Sequence, residues 1–114
     1  MKTKHSVPSR RRRKKILKTA KGFWGDRSKQ YRRAKESVRR ALAYAYRDRR
    51  AKKREFRSLW ILRINAAVKE RGLSYREFIS SLKKKNILLS RDILAQIAAE
   101  EPGVFDKIVE LARN

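Results

Sequence analysis

Residues 45–67 read AYRDRRAKKREFRSLWILRINAA, and the change of character inside them decides the fold. The first half is nearly pure cation: Arg47, Arg49, Arg50, Lys52, Lys53, Arg54 and Arg57. The second half carries Phe56, Leu59, Trp60, Ile61, Leu62 and Ile64, apolar enough to enter a core. Neither Pro nor Gly interrupts the stretch, so it predicts one continuous helix. That helix is expected to leave a small folded domain and run out into a polyanion. The pattern predicts an all-α chain: a long basic helical N-terminal arm over 1–58 and a small C-terminal α-helical globular domain over 59–114.

Charge follows the same division. The chain has 114 residues and a formal net charge of +23. Residues 1–72 hold 27 Lys+Arg against 5 Asp+Glu, whereas residues 73–114 hold 7 against 6. A polycation of that density repels itself unless a polyanion neutralises it, and nucleic acid is the commonest such partner. Over residues 1–72 arginine outnumbers lysine 16 to 11, which suits bidentate phosphate contacts and stacking better than bare neutralisation. RNA is the expected partner.

Outward from the opening stretch toward the N-terminus, residues 1–9 (MKTKHSVPS) are expected to form an extended tail, with His5 a bland tail residue. Ser9 is a candidate cap for a helix over about 10–21, ended by Gly22. Arg10, Arg11, Arg12, Arg13, Lys14 and Lys15 run without an acid, and Lys18 and Lys21 follow. Like charges at i,i+4 destabilise a helix in water, so this segment is expected to be disordered alone and helical when bound. Phe23 and Trp24 lie between Gly22 and Gly25. They offer faces for an unstacked base, or else pack on a neighbouring helix. Asp26 is read as the cap of a main helix carried to about Arg71 and stopped by Gly72; some 45 residues would make a rod of about 68 Å. Val38, Leu42 and Ala45 give that rod a thin apolar stripe. Arg32, Arg33, Arg39 and Arg40 surround it, with Tyr31, Tyr44 and Tyr46 interleaved, and Arg27 is a further RNA-contact candidate. Glu36 stands i,i+4 to both Arg32 and Arg40, and Asp48 i,i+4 to Lys52, as structural ion pairs. At the junction, Arg63 is an RNA-contact candidate. Asn65 is either a second one or a buried amide.

Beyond Gly72 the pattern is that of a small helical domain. Ser74-Tyr-Arg-Glu77 has capping-box spacing and opens a helix with Tyr75, Phe78, Ile79 and Leu82 on one face. Lys83-Lys84-Lys85-Asn86 ends it, Ile87-Leu88-Leu89 links onward, and Ser90 caps a helix bearing Ile93, Leu94, Ile97 and Ala98. Pro102-Gly103 is expected to break the chain before a last helix with Val104, Phe105, Ile108, Val109, Leu111 and Ala112. These residues, with Leu59, Trp60, Ile64 and Val68, make a core for about 55 residues, small yet feasible.

Several classes of function are excluded or disfavoured. Cysteine is absent, so disulfide frameworks and thiolate metal sites are out, and an intracellular setting fits. There is one histidine, no phosphate-cradling glycine loop and no convergent carboxylate pair, so no catalytic residue, metal site, cofactor or small-molecule substrate is assigned. The longest wholly apolar run, 59–62, is too short to span a bilayer. The Arg-rich N-terminus superficially resembles an organelle transit peptide, but its basic pattern continues too far, and it is counted as mature protein. DNA compaction would explain the charge but neither the Phe23-Trp24 pair nor the half-apolar rod. A basic amphipathic membrane binder is opposed by the thinness of the stripe.

The residues also carry a resemblance. Tyr46-Arg-Asp-Arg-Arg50, followed by Lys53-Arg-Glu-Phe-Arg57-Ser-Leu-Trp60-Ile-Leu-Arg63-Ile-Asn65-Ala-Ala67, closely resembles the diagnostic region of the L-twenty family of bacterial large-subunit ribosomal proteins. Arg10–Lys15 with Ile16-Leu17-Lys18, Ala20-Lys21-Gly22, the aromatic pair before Gly25 and Arg27-Ser28 resemble that family's arm. Gly72-Leu73-Ser74-Tyr75 and Phe78-Ile79 continue the match. The resemblance, running from Arg10 over nearly the whole chain, implies a long bent helical arm that threads into large-subunit rRNA of the 23S type, with a small α-helical head at the subunit surface. It also implies early binding in assembly, neighbouring large-subunit proteins as partners and a place in the cytoplasmic ribosome of a bacterium, an organelle ribosome being left open. In some members the head further represses translation of its own operon by binding the mRNA.

Overall fold

The computed structural model describes residues 4–114. The chain is all-α, with no strand among the described residues. The helices follow in order: α1 (Ser6–Thr19), α2 (Asp26–Lys29), α3 (Tyr31–Glu70), α4 (Tyr75–Lys84), α5 (Arg91–Glu100) and α6 (Pro102–Arg113). Two compact units are resolved, Met1–Arg50 and Ala51–Asn114, and α3 contributes to both.

In the first unit α1 begins at Ser6, earlier than the expected start near Arg10. Pro8 is compatible with this because the first turn of a helix has amides without intrahelical partners, so a missing N–H costs nothing there. His5 precedes it in a left-handed conformation, φ 67°, and its carbonyl accepts from the Ser9 amide at 3.3 Å. Of the tail expected over 1–9, residues 1–3 lie outside the described residues. Gly22 does adopt positive φ, +88°, just beyond α1.

The expected single helix over 26–71 is corrected to two. Gln30 is extended (φ −86°, ψ 122°) and separates the short α2 from α3. It is a junction with its hydrogen bonds satisfied: its amide donates to Asp26 O at 2.9 Å and its carbonyl accepts from Ala34 at 2.8 Å. The bend accompanies a small core in which Ala20 meets Ala34 and Val38, flanked by Ile16, Leu17 and Phe23. Of the expected apolar stripe only Val38 is buried; Leu42 is 63% exposed and Ala45 is exposed as well.

The second unit is a conventional miniature core. Ile64 and Val68 from α3, Phe78 and Leu82 from α4, Leu94 and Ala95 from α5, and Phe105, Val109 and Ala112 from α6 are buried together. The rings of Phe78 and Phe105 sit 5.7 Å apart, tilted by 50°, a favoured aromatic geometry. Trp60 packs on this cluster from its edge. Leu59 is exposed and does not join it, and neither do Ile93, Val104 and Leu111. Asn65 is exposed, so the buried-amide alternative is excluded.

The helix ends explain the connections. After α3, Leu73 N–H bonds Val68 O at 3.2 Å and Gly72 N–H bonds Lys69 O at 3.0 Å, with Gly72 at φ +76°. This is the Schellman arrangement that glycine favours. Asn86 repeats it after α4 at φ 55°, with Ile87 bonded to Leu82 O at 2.9 Å and Asn86 to Lys83 O at 3.1 Å. The capping box opening α4 is complete: Ser74 Oγ accepts from Glu77 N at 3.3 Å, and Ser74 N donates to Glu77 Oε2 at 3.0 Å. Pro102 does not break the last helix as expected but occupies its first position; the break falls on Glu101 (φ −132°, ψ 70°). Proline's fixed φ and missing amide suit that first position.

Candidate nucleic-acid interface

Cations dominate the first unit. Residues 1–50 contain 20 Lys+Arg against 3 acids, and α1 displays Arg10, Arg11, Arg12, Arg13, Lys14, Lys15 and Lys18 as exposed side chains, with Lys21 exposed just beyond. Arg13 is held, its guanidinium 5.7 Å from the Tyr31 ring centre, which ties α1 to the start of α3. Arg27 on α2 and Arg32, Arg33 and Arg39 on α3 are exposed and have no acidic partner among the described residues.

Two acids choose partners. Glu36 pairs with Arg40 at 2.7 Å and leaves Arg32 alone, so one of its two expected i,i+4 pairs forms. Asp48 pairs with its neighbour Arg47 at 2.9 Å instead of Lys52. That Asp48 contact, through its hydrogen bond first and its charge second, raises the Arg47 pKa further above its already high ordinary value. Arg47 also lies over Tyr44 at 4.7 Å. Arg49 and Arg50 lie over Tyr46, at 6.0 and 5.1 Å. Tyr44 and Tyr46 themselves are more than half exposed. Stacking on an aromatic face orients a guanidinium while leaving its N–H groups available to an acceptor.

Further along α3, Lys52 lies 5.7 Å from the Phe56 ring centre. Lys53, Arg54, Arg57 and Arg63 are exposed. No residue from Leu42 through Leu59 is buried. So long an unburied helical span would be a poor design for a structure whose stability comes from packing an amphipathic face. It is suited to enclosure by something else.

The Phe23-Trp24 pair is divided by the fold. Phe23 turns inward onto Ala20, Ala34 and Val38, whereas Trp24 is 91% exposed. Trp24 lines a groove with Arg27, Arg33, Glu36, Ser37, Arg40, Ala41 and Tyr44. Ser37 and Ala41 escaped sequence reasoning. The signal was there: positions 33, 37, 40, 41 and 44 are spaced to share one helical face.

Among the described residues no group of three His, Cys, Asp or Glu side chains gathers that could hold a metal, and no helix is long and apolar enough to cross a membrane.

The family model described as ribosomal protein L20 matches residues 2–108, taking in the first residues that the resemblance from Arg10 left out. The large ribosomal subunit protein bL20 of Desulfatibacillum aliphaticivorans is 54% identical over 112 residues, covering 98% of this chain and 97% of the relative. Its counterpart from a Synechococcus strain is 56% identical over 114 residues, covering 100% and 97%. That of Pelobacter propionicus is 56% identical over 110 residues, covering 96% and 94%. The chain belongs to the ribosomal protein L20 family, a family of structural and non-enzymatic ribosome components.

Proposed function

We propose that this protein is a structural constituent of the large ribosomal subunit that binds 23S-type rRNA directly and promotes early subunit assembly by neutralising and organising rRNA segments. In this reading residues 1–58 are the RNA-penetrating arm, residues 59–114 the head, and neighbouring large-subunit proteins complete the surroundings in the cytoplasmic ribosome. The observation that carries it is the unburied span of α3 from Leu42 to Leu59, in which Arg47 lies over Tyr44 and Arg49 and Arg50 over Tyr46. The names of the bL20 relatives support the large-subunit assignment.

Recognition runs mainly through backbone phosphates and RNA shape, because the A-form major groove is too deep and narrow for side chains to read. Helix formation along the most basic segments is coupled to binding, since phosphates relieve the like-charge repulsion that opposes it. Binding of the head to the messenger of its own operon is a separate activity. A residue 59–114 fragment titrated with that messenger's leader tests it.

The deciding experiment is binding to a folded large-subunit rRNA fragment, with duplex DNA as competitor, across a salt series. Counterion release makes both complexes salt-sensitive. An rRNA complex that survives salt concentrations stripping the DNA supports the reading. Equal loss of both would reduce the arm to a polycation without recognition.

A further inference from the structure

We infer that the groove beside Trp24 is a seat for one unstacked nucleotide of an RNA, with the base on the indole and its flanking phosphate on the arginines. The inference deepens the RNA-binding reading above and rests on it.

Three observations converge on the groove. First, Trp24 presents nearly its whole ring to the surroundings, while its neighbour Phe23 is partly buried against Ala20, Ala34 and Val38 and lines the inner side of the groove. A 91% exposed tryptophan contributes almost nothing to folding, and its large flat face is the group to which a base adds stacking energy irrespective of sequence. Second, the charge around it is complementary to a phosphodiester. Arg27, Arg33 and Arg40 line the groove against one acid, Glu36, which is already engaged by Arg40 at 2.7 Å. Arg27 and Arg33 remain without an acidic partner among the described residues. Third, the size is right: about 730 Å³, within the roughly 300–1,000 Å³ of sites that hold small ligands.

The backbone adds a reason why the seat is accessible. Gly22 and Gly25 both take positive φ, +88° and +57°, and a Cβ added at either would meet nothing within 4 Å. The glycines are there for the bends that carry Trp24 out and Phe23 in, and the surroundings of the turn are open. A base stacked inside a duplex cannot reach the indole. The occupant must be extrahelical, a bulged or loop nucleotide, which is the form in which RNA bases are ordinarily read.

The test uses the full chain and three RNA probes: a duplex with one unpaired adenosine, the same duplex with that position abasic, and the fully paired duplex. Fluorescence anisotropy gives affinities for the parent and for Trp24→Ala and Trp24→Phe. The parent should prefer the bulged duplex over the abasic one by about five- to 150-fold, the range of a single base–aromatic stack. Trp24→Ala should abolish that preference, and Trp24→Phe should restore most of it. Adenosine 5′-monophosphate should compete only weakly.

Equal parent affinities for bulged and abasic duplexes would overturn the inference, as would a preference that survives Trp24→Ala. So would mononucleotide binding as tight as that of the bulged RNA. Parent binding to the large-subunit rRNA fragment over DNA is measured alongside. If that rRNA preference persists while bulge discrimination is absent, the nucleotide seat fails and the ribosomal reading stands. If the rRNA preference is itself absent, the broader reading fails with it.

Discussion

The guanidinium of Arg71 lies over the ring of Phe105, 5.2 Å from its centre. The same side chain donates from Nη1 to Ala67 O at 2.7 Å and from Nε to the Asp106 carboxylate. The backbone carbonyl of Arg71 accepts from Arg113. One residue at the end of α3 thus meets the core aromatic of α6, the first turn and a half of that helix, and its last turn.

Replacing Arg71 by Ala should therefore destabilise the second unit more than an ordinary surface change, by about 1–3 kcal/mol, since the ion pair is half-sheltered and the cation no longer covers the ring. Arg71→Lys should recover only part of this. An ammonium cannot make the forked contact to Ala67 and Asp106 while covering the ring. Urea denaturation of the three proteins checks the order.

Burial ranks two aromatic positions. Phe105 is wholly buried, so Phe105→Ala should cost about 3–5 kcal/mol, comparable to the entire stability of so small a core. Trp60 would carry the same cost if it were buried, but it sits at the edge of the cluster beside Phe56, 6.2 Å between ring centres. Trp60→Ala should lose only about 1.5–3 kcal/mol and leave a folded head. Circular dichroism melts of the two variants distinguish them.

Acid should loosen the start of α4. The Ser74 amide, and after it the Ser74 hydroxyl, holds the Glu77 carboxyl below its usual range. Asp92 at the start of α5 is lowered likewise, chiefly by the Ser90 hydroxyl and then by the Ile93 amide. A carboxyl whose pKa falls on folding stabilises the fold above its unfolded value, and that contribution disappears as pH drops through the folded value. Stability should thus decline as pH falls below about 4.3, the unfolded value for Glu. Glu77→Gln should flatten the Glu77 share of that decline, read from midpoints of urea unfolding between neutral pH and about pH 3.

Arg49, Arg50 and Arg54 are exposed and have no acidic partner among the described residues. Changing all three to Ala should weaken rRNA binding and make it less sensitive to salt. For every phosphate that the variant no longer neutralises, the slope of log affinity against log salt should fall by up to about 0.9. An unchanged slope would show that these cations serve solubility alone. Helicity of the variant, followed by circular dichroism, checks that the backbone is intact.

Much is legible along the chain because it is written in short-range grammar. The Ser74/Glu77 spacing, Gly72 as a stop, and Phe78 with Leu82 on one face are each decided within a turn or so of helix. The Gln30 break is not legible, because no Pro or Gly marks it and it accompanies a long-range meeting of Ala20 with Ala34 and Val38. Pro102-Gly103 misleads because proline suits both a helix's first turn and a break, and only the backbone of Glu101 distinguishes them. The partner choices of Glu36 and Asp48 depend on rotamers, which i,i+4 spacing permits but does not select.

The sequence by itself determined that this protein is all-α, that its N-terminal part is a polycation needing a polyanion, and that a small apolar core closes the C-terminal part. Composition and periodicity suffice for those conclusions, since net charge and amphipathic faces do not depend on distant contacts. Only the tertiary structure decided which of two adjacent aromatics packs against a core and which is left almost wholly exposed. It alone turned Leu42 and Leu59 outward, set Arg71 over Phe105, and brought Trp24 to the same groove as Arg33 and Tyr44. Those outcomes depend on how helices far apart in the chain compete for the same few apolar faces, and packing is settled only when all of them are in place.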